Sequence, residues 1–256
     1  MMEPQSFLII FIIGLFAGFI NVIVGSGSSV TVPLLVFLGI PPHVAVGTNR
    51  FAMLFNNFTG AVEYHRKKYL HLTFAVIMGV CAALGAVLGA WLVLKTTPAL
   101  LKQVIGAVLL VEIIILMFND SKLGLTRRLE EWSSKNYVAA GAFGFFAGIY
   151  GGFLGMAITS ILMFFLVLLF KFSFLQSASV AKVVAFFISI AASVVFMISG
   201  NVDYSIAFTL VTAYIIGAFA GVRSAIQLGD IRVKYFFIGV LAISAFLLFF
   251  DFGIKI

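Results

Sequence analysis

The sequence predicts an all-α polytopic membrane protein, built as two inverted-topology repeats of about five hydrophobic segments each. Three observations lead there. Hydrophobic residues make up 63% of the 256 residues and charged ones only 10%, well under the ~25% charged that a water-facing domain carries. Long apolar stretches recur along the whole length, the pattern of several membrane-spanning helices. Glycine-centred stretches also return: GLFAG (Gly14–Gly18) reappears as GFFAG (Gly144–Gly148), and Gly85 and Gly89 reappear as Gly217 and Gly221. The spacing is about 130 residues each time, and three matches in register point to an internal duplication.

The segments follow in order. The first half holds apolar runs over 7–24, 28–40, 45–63, 71–94 and 99–118, and the second over 138–156, 157–170, 176–198, 204–225 and 232–250. The chain therefore divides into an N-terminal transmembrane repeat (1–119), a linker (120–137) and a C-terminal transmembrane repeat (138–256). The start, MMEPQSFLII, has an acid where a secretory signal has a basic region, so the first segment is expected to be retained. The second run of each half is too short for the ~20 residues of a full span. Each follows a glycine-rich interruption, GSGSS (Gly25–Ser29) or GGFLG (Gly151–Gly155). Broken or re-entrant helices are expected there, tolerated only where protein or water satisfies the freed backbone.

Orientation follows from the basic residues. Arg66, Lys67, Lys68, Lys122, Arg127, Arg128, Lys135, Lys171, Arg223, Arg232 and Lys234 all fall on one side if the N-terminus is outside and segments alternate. That side is the cytoplasm by the positive-inside rule, which puts linker 120–137 there and the chain in the cell membrane. It also accounts for most of the net charge of +7 without nucleic acid as a partner. The linker reads as a solvated connector. With an odd number of segments per half the two repeats are inverted, the plan of many secondary transporters.

Arg50, in AVGTNRFAMLF, and Lys182, in SASVAKVVAFF, are the basic residues that fit no loop or segment end. A cation at mid-bilayer costs about 2.5–3.5 kcal/mol on the most lenient scale. Two readings stand open. Either cation can reach the headgroups along its own helix, Arg50 lying about 24 Å of helix before Arg66. Alternatively both face one polar cavity, since they match under the repeat and follow Gly47-Thr48-Asn49 and Ser177-Ala178-Ser179. Such a cavity favours an anion, with Arg offering a bidentate fork and Lys a point charge. Helix N-termini at the glycine-rich breaks bind anions through backbone N–H groups, and Ser26, Ser28, Ser29 and Thr31 add hydroxyls. Close helix crossing is the other reason for glycine there. Asn21, Asn56 and Asn57 either cross-link helices or touch a ligand. Glu112, in LLVEIIILM, is the clear intramembrane carboxylate, and either carries a proton or neutralises a cation. No Walker loop, HExxH, GxSxG or Cys/His cluster occurs, so an enzyme is not expected, nor a metal or other cofactor.

The run GSGSSVTVPLLVFLGIPPHVAVGTNRFAMLF (Gly25–Phe55) resembles the signature of the TauE/SafE family of membrane transporters, also called TSUP or sulfite exporters. A weaker second copy reads SASVAKVVAFF, followed by SGNVDYSIAFTLVTAYIIGAFAGVR (Ser199–Arg223), and the resemblance covers nearly the whole chain. It implies a carrier of small sulfur-containing anions such as sulfite, thiosulfate or an organosulfonate like sulfoacetate, coupled to protons or another ion. It places the family's Gly-Thr-Asn-cation motif on Gly47, Thr48, Asn49 and Arg50, and its second cation on Lys182. The expected substrate-binding set is thus Arg50, Lys182, Asn49, Thr48, Gly47, Ser26, Ser28 and Ser179, with Glu112 the candidate for proton coupling. The expected partners are a small anion and the lipid bilayer, with self-association left open. The rival reading is an anion channel or leak pathway, against which no ring of like residues speaks for a pore.

Overall fold

A computed structural model describes residues 4–23, 25–118 and 134–225. The linker core (119–133) and the run 232–250 lie outside the described residues, as does the side chain of Glu112. The described residues form only helices and turns. In the first half these are α1 (Pro4–Ile23), α2 (Ser28–Phe37), α3 (Pro42–Arg66), α4 (Leu72–Leu94) and α5 (Pro98–Phe118). In the second they are α6 (Ser134–Phe153), α7 (Ile158–Phe170), α8 (Phe174–Ile198) and α9 (Tyr204–Ala225). Among the described residues four stretches are long and apolar enough to cross a membrane: Gln5–Ile23, Leu72–Leu94, Leu175–Ile198 and Tyr204–Ser224. Large apolar side chains face outward, among them Leu84, Val138, Phe146 and Ile198, as a lipid-facing surface requires.

Local chemistry sets the helix ends. Pro42 opens α3 at its first turn, where the missing N–H costs nothing. Ser173 and Gln176 form a capping box that opens α8. α3 and α8 then close in the same way. Lys68 (φ 62°) and Gly200 (φ 70°) turn left-handed, and Tyr69 N–H and Asn201 N–H reach back to the carbonyls of Tyr64 and Phe196.

The packing has a simple plan. α3 and α8 lie side by side at the centre, α1 packs on α9, α4 packs on α6, and α9 and α4 flank α3 and α8 respectively. Exchanging α1 with α6, α2 with α7, α3 with α8 and α4 with α9 carries the larger contacts onto one another: α1–α9 onto α6–α4, α3–α9 onto α8–α4 and α2–α3 onto α7–α8. The glycines that recur in the sequence sit at the two outer crossings. A Cβ on Gly85 or Gly89 would strike the backbone of Phe145 and Ile149 on α6, and one on Gly217 or Gly221 would strike Leu15 and Phe19 on α1. From the other side, Gly148 abuts Ala82 of α4 and Gly18 abuts Tyr214 of α9. Only a missing side chain lets backbones approach so closely, and in lipid that contact is a main source of helix association.

α3 and α8 run in opposite directions. Near the start of α3, Thr48 Oγ1 accepts from the Asp203 N–H beyond the end of α8 (2.9 Å). Near the start of α8, Ser179 Oγ donates to the Tyr69 carbonyl beyond the end of α3 (2.9 Å). Each helix has 25 residues, and Arg50 and Lys182 each lie eight residues in from the start. At 1.5 Å per residue each cation is about 12 Å from its helix start, so the two are staggered by roughly 13 Å along the helix pair.

Candidate functional site

Two interruptions meet in the middle of the molecule. Between α1 and α2 the chain turns at Gly25 (φ 93°), and between α6 and α7 at Gly155 (φ 63°) and Ala157 (φ 56°). Gly25 lies against the backbone of Thr159 and Ser160, and Ser26 Oγ and Ser160 Oγ are 2.7 Å apart. The N-terminal ends of α2 and α7 thus converge, and with them the N–H groups that a helix start leaves unpaired. The carbonyl ends of α1 and α6 converge there too, where a cation is favoured.

Arg50 reaches this meeting point from α3. It is 2% exposed, and its guanidinium occupies the place that a side chain on Gly155 would take. Tyr150 and Tyr214 are close enough to interact with its charge. Among the described residues the one ion pair is Arg66 with Glu63 (3.0 Å), so no described carboxylate neutralises Arg50. Five buried side-chain atoms have no hydrogen-bond partner among the described residues. Three are N–H donors on two adjacent residues: Arg50 Nε, Arg50 Nη2 and Asn49 Nδ2. A buried donor left unmade costs about 1–3 kcal/mol, more when charged. Three such donors gathered beside a permanent positive charge favour an acceptor, and above all an anionic one, at this point.

The other end of the Asn49 carboxamide is fully engaged. Its Oδ1 accepts from Thr31 Oγ1 at 2.7 Å and lies 2.6 Å from the Tyr214 hydroxyl. Tyr214 Oη and Thr31 Oγ1 are themselves 2.7 Å apart. This three-residue cluster ties α2, α3 and α9 together and turns the Asn49 amide nitrogen away from itself.

Lys182 is placed differently. It is fully buried, and its Nζ donates to the Asn21 carbonyl (2.5 Å) and to Asn57 Oδ1 (3.4 Å). α1 ends at Ile23, so the Asn21 carbonyl has lost its helical partner and Lys182 caps it. Each cation therefore lies at the broken first helix of the opposite half: Lys182 at the end of α1, Arg50 just beyond the end of α6. Around Lys182 the three asparagines join helices. Asn21 Nδ2 donates to Asn56 Oδ1 (2.5 Å). Asn56 Nδ2 bonds the carbonyls of Gly18 and Tyr214 (3.2 and 3.1 Å), and Asn57 Nδ2 bonds Ser189 Oγ (3.2 Å).

Of the residues singled out in the sequence, the fold brings Asn49, Arg50 and the two glycine-rich breaks together, with Ser26 and the buried Ser28 at the α1–α2 break. Lys182 lies on the neighbouring helix among the asparagines. Thr48 and Ser179 bond the loops at opposite ends of the α3–α8 pair, and Gly47 packs against the Asn201 carbonyl there. Sequence reasoning passed over Tyr214, Tyr150, Ser160 and Ser189. Tyr214 left one signal, a phenol three residues before Gly217 in a largely apolar run, where a buried phenol needs a partner.

Comparison with known proteins agrees with this architecture. A probable membrane transporter protein of Haemophilus influenzae is 28% identical over 227 residues, covering 88% of each chain. The probable membrane transporter protein YdhB of Bacillus subtilis is 24% identical over 95% of this chain and 98% of its own. The probable membrane transporter protein YfcA of Escherichia coli is 25% identical over 98% of this chain and 92% of its own. No solved structure matches the chain. The family model described as sulfite exporter TauE/SafE matches residues 10–248, and with nearly the whole chain so covered the protein belongs to the TauE/SafE family of multi-pass membrane proteins.

Proposed function

We propose that the protein is a secondary transporter of a small sulfur-containing anion, such as sulfite, thiosulfate or sulfoacetate, working by alternating access in the cell membrane. The observation that carries this is the trio of buried donors on Asn49 and Arg50 that have no partner among the described residues, at the meeting point of two broken helices. An oxyanion or sulfonate supplies the missing acceptors, and a charge-assisted, bidentate contact to a guanidinium is the strongest such bond available. The sulfur chemistry comes from the family's description as sulfite exporters.

Alternating access has support in the packing. Antiparallel α3 and α8, and a contact pattern that survives exchange of the two halves, fit an inverted repeat that can rock about a fixed site. Arg50 has N–H groups with no acceptor among the described residues, while the Lys182 ammonium donates to the Asn21 carbonyl and to Asn57 Oδ1. An exchange of these roles is what a two-state cycle between equivalent halves would use. The positive-inside rule supports a cytoplasmic 120–137 linker, and proton coupling would fall to Glu112 on α5.

The test is calorimetric binding of sulfite, thiosulfate, sulfoacetate, sulfate and chloride to the purified protein and to Arg50→Ala. Saturable binding of a sulfur anion is expected in wild type and its loss in the variant, with the variant still folded. Equal binding in both proteins would remove Arg50 from the site and end this reading.

A further inference from the structure

The hydrogen-bond inventory around Asn49 restricts the ligand more closely, taking the anion site proposed above as its basis. Every unpartnered atom on Asn49 and Arg50 is a donor. The one side-chain acceptor of the pair, Asn49 Oδ1, is held by the hydroxyls of Thr31 and Tyr214. Each hydroxyl has a single proton, and both are spent inside the cluster or on the Gly27 carbonyl, which Thr31 also approaches at 3.3 Å. Thr31, Asn49 and Tyr214 are all fully buried. In this arrangement the amide oxygen faces the two hydroxyls and the amide N–H faces the site.

We infer that the site takes only the fully deprotonated form of an anion, one whose bound face presents acceptors and no O–H, and that Thr31 and Tyr214 are positioning residues that enforce this through Asn49. A ligand that turns an O–H toward Asn49 and Arg50 would bring a donor up to buried donors. Rejection of a ligand whose polar group cannot be paired is far steeper than rejection by size alone. Sulfonates and fully ionised sulfur oxyanions meet the requirement, while hydrogen-bearing forms of otherwise similar anions do not.

Methanesulfonate and methylphosphonate make the comparison cleanly, because they share shape and size. On the acid side of its second ionisation, methylphosphonate has the same single charge as methanesulfonate and differs by one P–O–H. On the alkaline side that proton is gone. Calorimetry on the intact wild-type protein is expected to show methanesulfonate binding at both pH values, which controls for titration of the protein. Methylphosphonate should bind about ten- to a hundredfold more weakly than methanesulfonate on the acid side, the weight of one unpaired buried hydroxyl, and recover on the alkaline side. In Thr31→Val/Tyr214→Phe, with both hydroxyls gone and Asn49 Oδ1 released, the acid-side ratio should fall toward one; in Thr31→Ser it should persist. Equal acid-side binding of the two ligands to wild type overturns the inference and leaves the anion site standing. Binding of neither overturns both. A ratio unchanged in the double variant overturns the roles of Thr31 and Tyr214.

Discussion

Gly155 offers the most direct test of where Arg50 lies, because the fold supplies its own control. Gly155 (φ 63°) and Gly200 (φ 70°) both have left-handed backbones. Alanine at either position incurs the same conformational penalty, about 1–2 kcal/mol. The difference is what the new methyl meets. At Gly200 there is nothing within 4 Å, whereas at Gly155 the methyl coincides with the Arg50 guanidinium. Gly155→Ala must therefore expel that group. Two hydrogen bonds from a charged guanidinium to an anion, at about 1.5–3 kcal/mol each, amount to a loss of about 3–6 kcal/mol. That corresponds to anion binding weakened by about a hundredfold to ten-thousandfold. Calorimetric titration of both variants in detergent, with thermal denaturation alongside, separates the effects. Binding lost only in Gly155→Ala is expected, with a melting loss larger than that of Gly200→Ala by the cost of displacing the buried guanidinium, about 1–3 kcal/mol. If the two variants bind alike, Arg50 does not hold the anion from its place over Gly155.

Two further outcomes follow from the same geometry. Lys182→Met removes the donor to the Asn21 carbonyl and leaves a buried helix-terminal acceptor unpaired, so thermal denaturation should show a loss of about 1–3 kcal/mol; melting unchanged from wild type would mean that Lys182 does not cap α1. In a Cys81→Ala background, Ser26→Cys and Ser160→Cys should form a disulfide on mild oxidation, since their Oγ atoms are 2.7 Å apart. The bond should stop uptake of labelled anion into proteoliposomes, with reduction restoring it; full transport by the oxidised protein would show that the two breaks need not separate during the cycle.

Much of the architecture can be read from the residues, for identifiable reasons. Helix limits follow apolar runs bounded by proline, glycine and capping residues, so the run expected at 71–94 and the helix Leu72–Leu94 nearly coincide. The shortness of α2 and α7 shows directly as a deficit of apolar residues after each glycine-rich break. The site is less legible because its contacts are long-range. Arg50 stands out in its own segment, yet nothing local ties it to Gly155, whose left-handed turn opens the space it fills. Thr48, Asn49 and Arg50 look equivalent as a polar run. On a helix, however, neighbours point about 100° apart, and they reach the α8–α9 loop, the Thr31–Tyr214 cluster and the α6–α7 break respectively. Tyr214 illustrates the limit: as an aromatic in an apolar segment it resembles an interface anchor, and only the fold shows its hydroxyl at Asn49 Oδ1.

The reciprocal placement of the two cations has a consequence for how the chain is made. Arg50 leaves the ribosome well before Gly155, the residue over which it comes to rest. With roughly a hundred residues between them and synthesis at about 5–20 residues per second, that interval is about 5–20 s. Through it, α3 carries a charge into the insertion machinery with no destination yet built, at a cost of about 2.5–3.5 kcal/mol. Lys182 has no such wait, because the Asn21 carbonyl precedes it. Biosynthesis thus separates two cations that lie at the same position in their helices: the first half is an unfinished guest until the sixth helix arrives, and the second half inserts against a partner already in place.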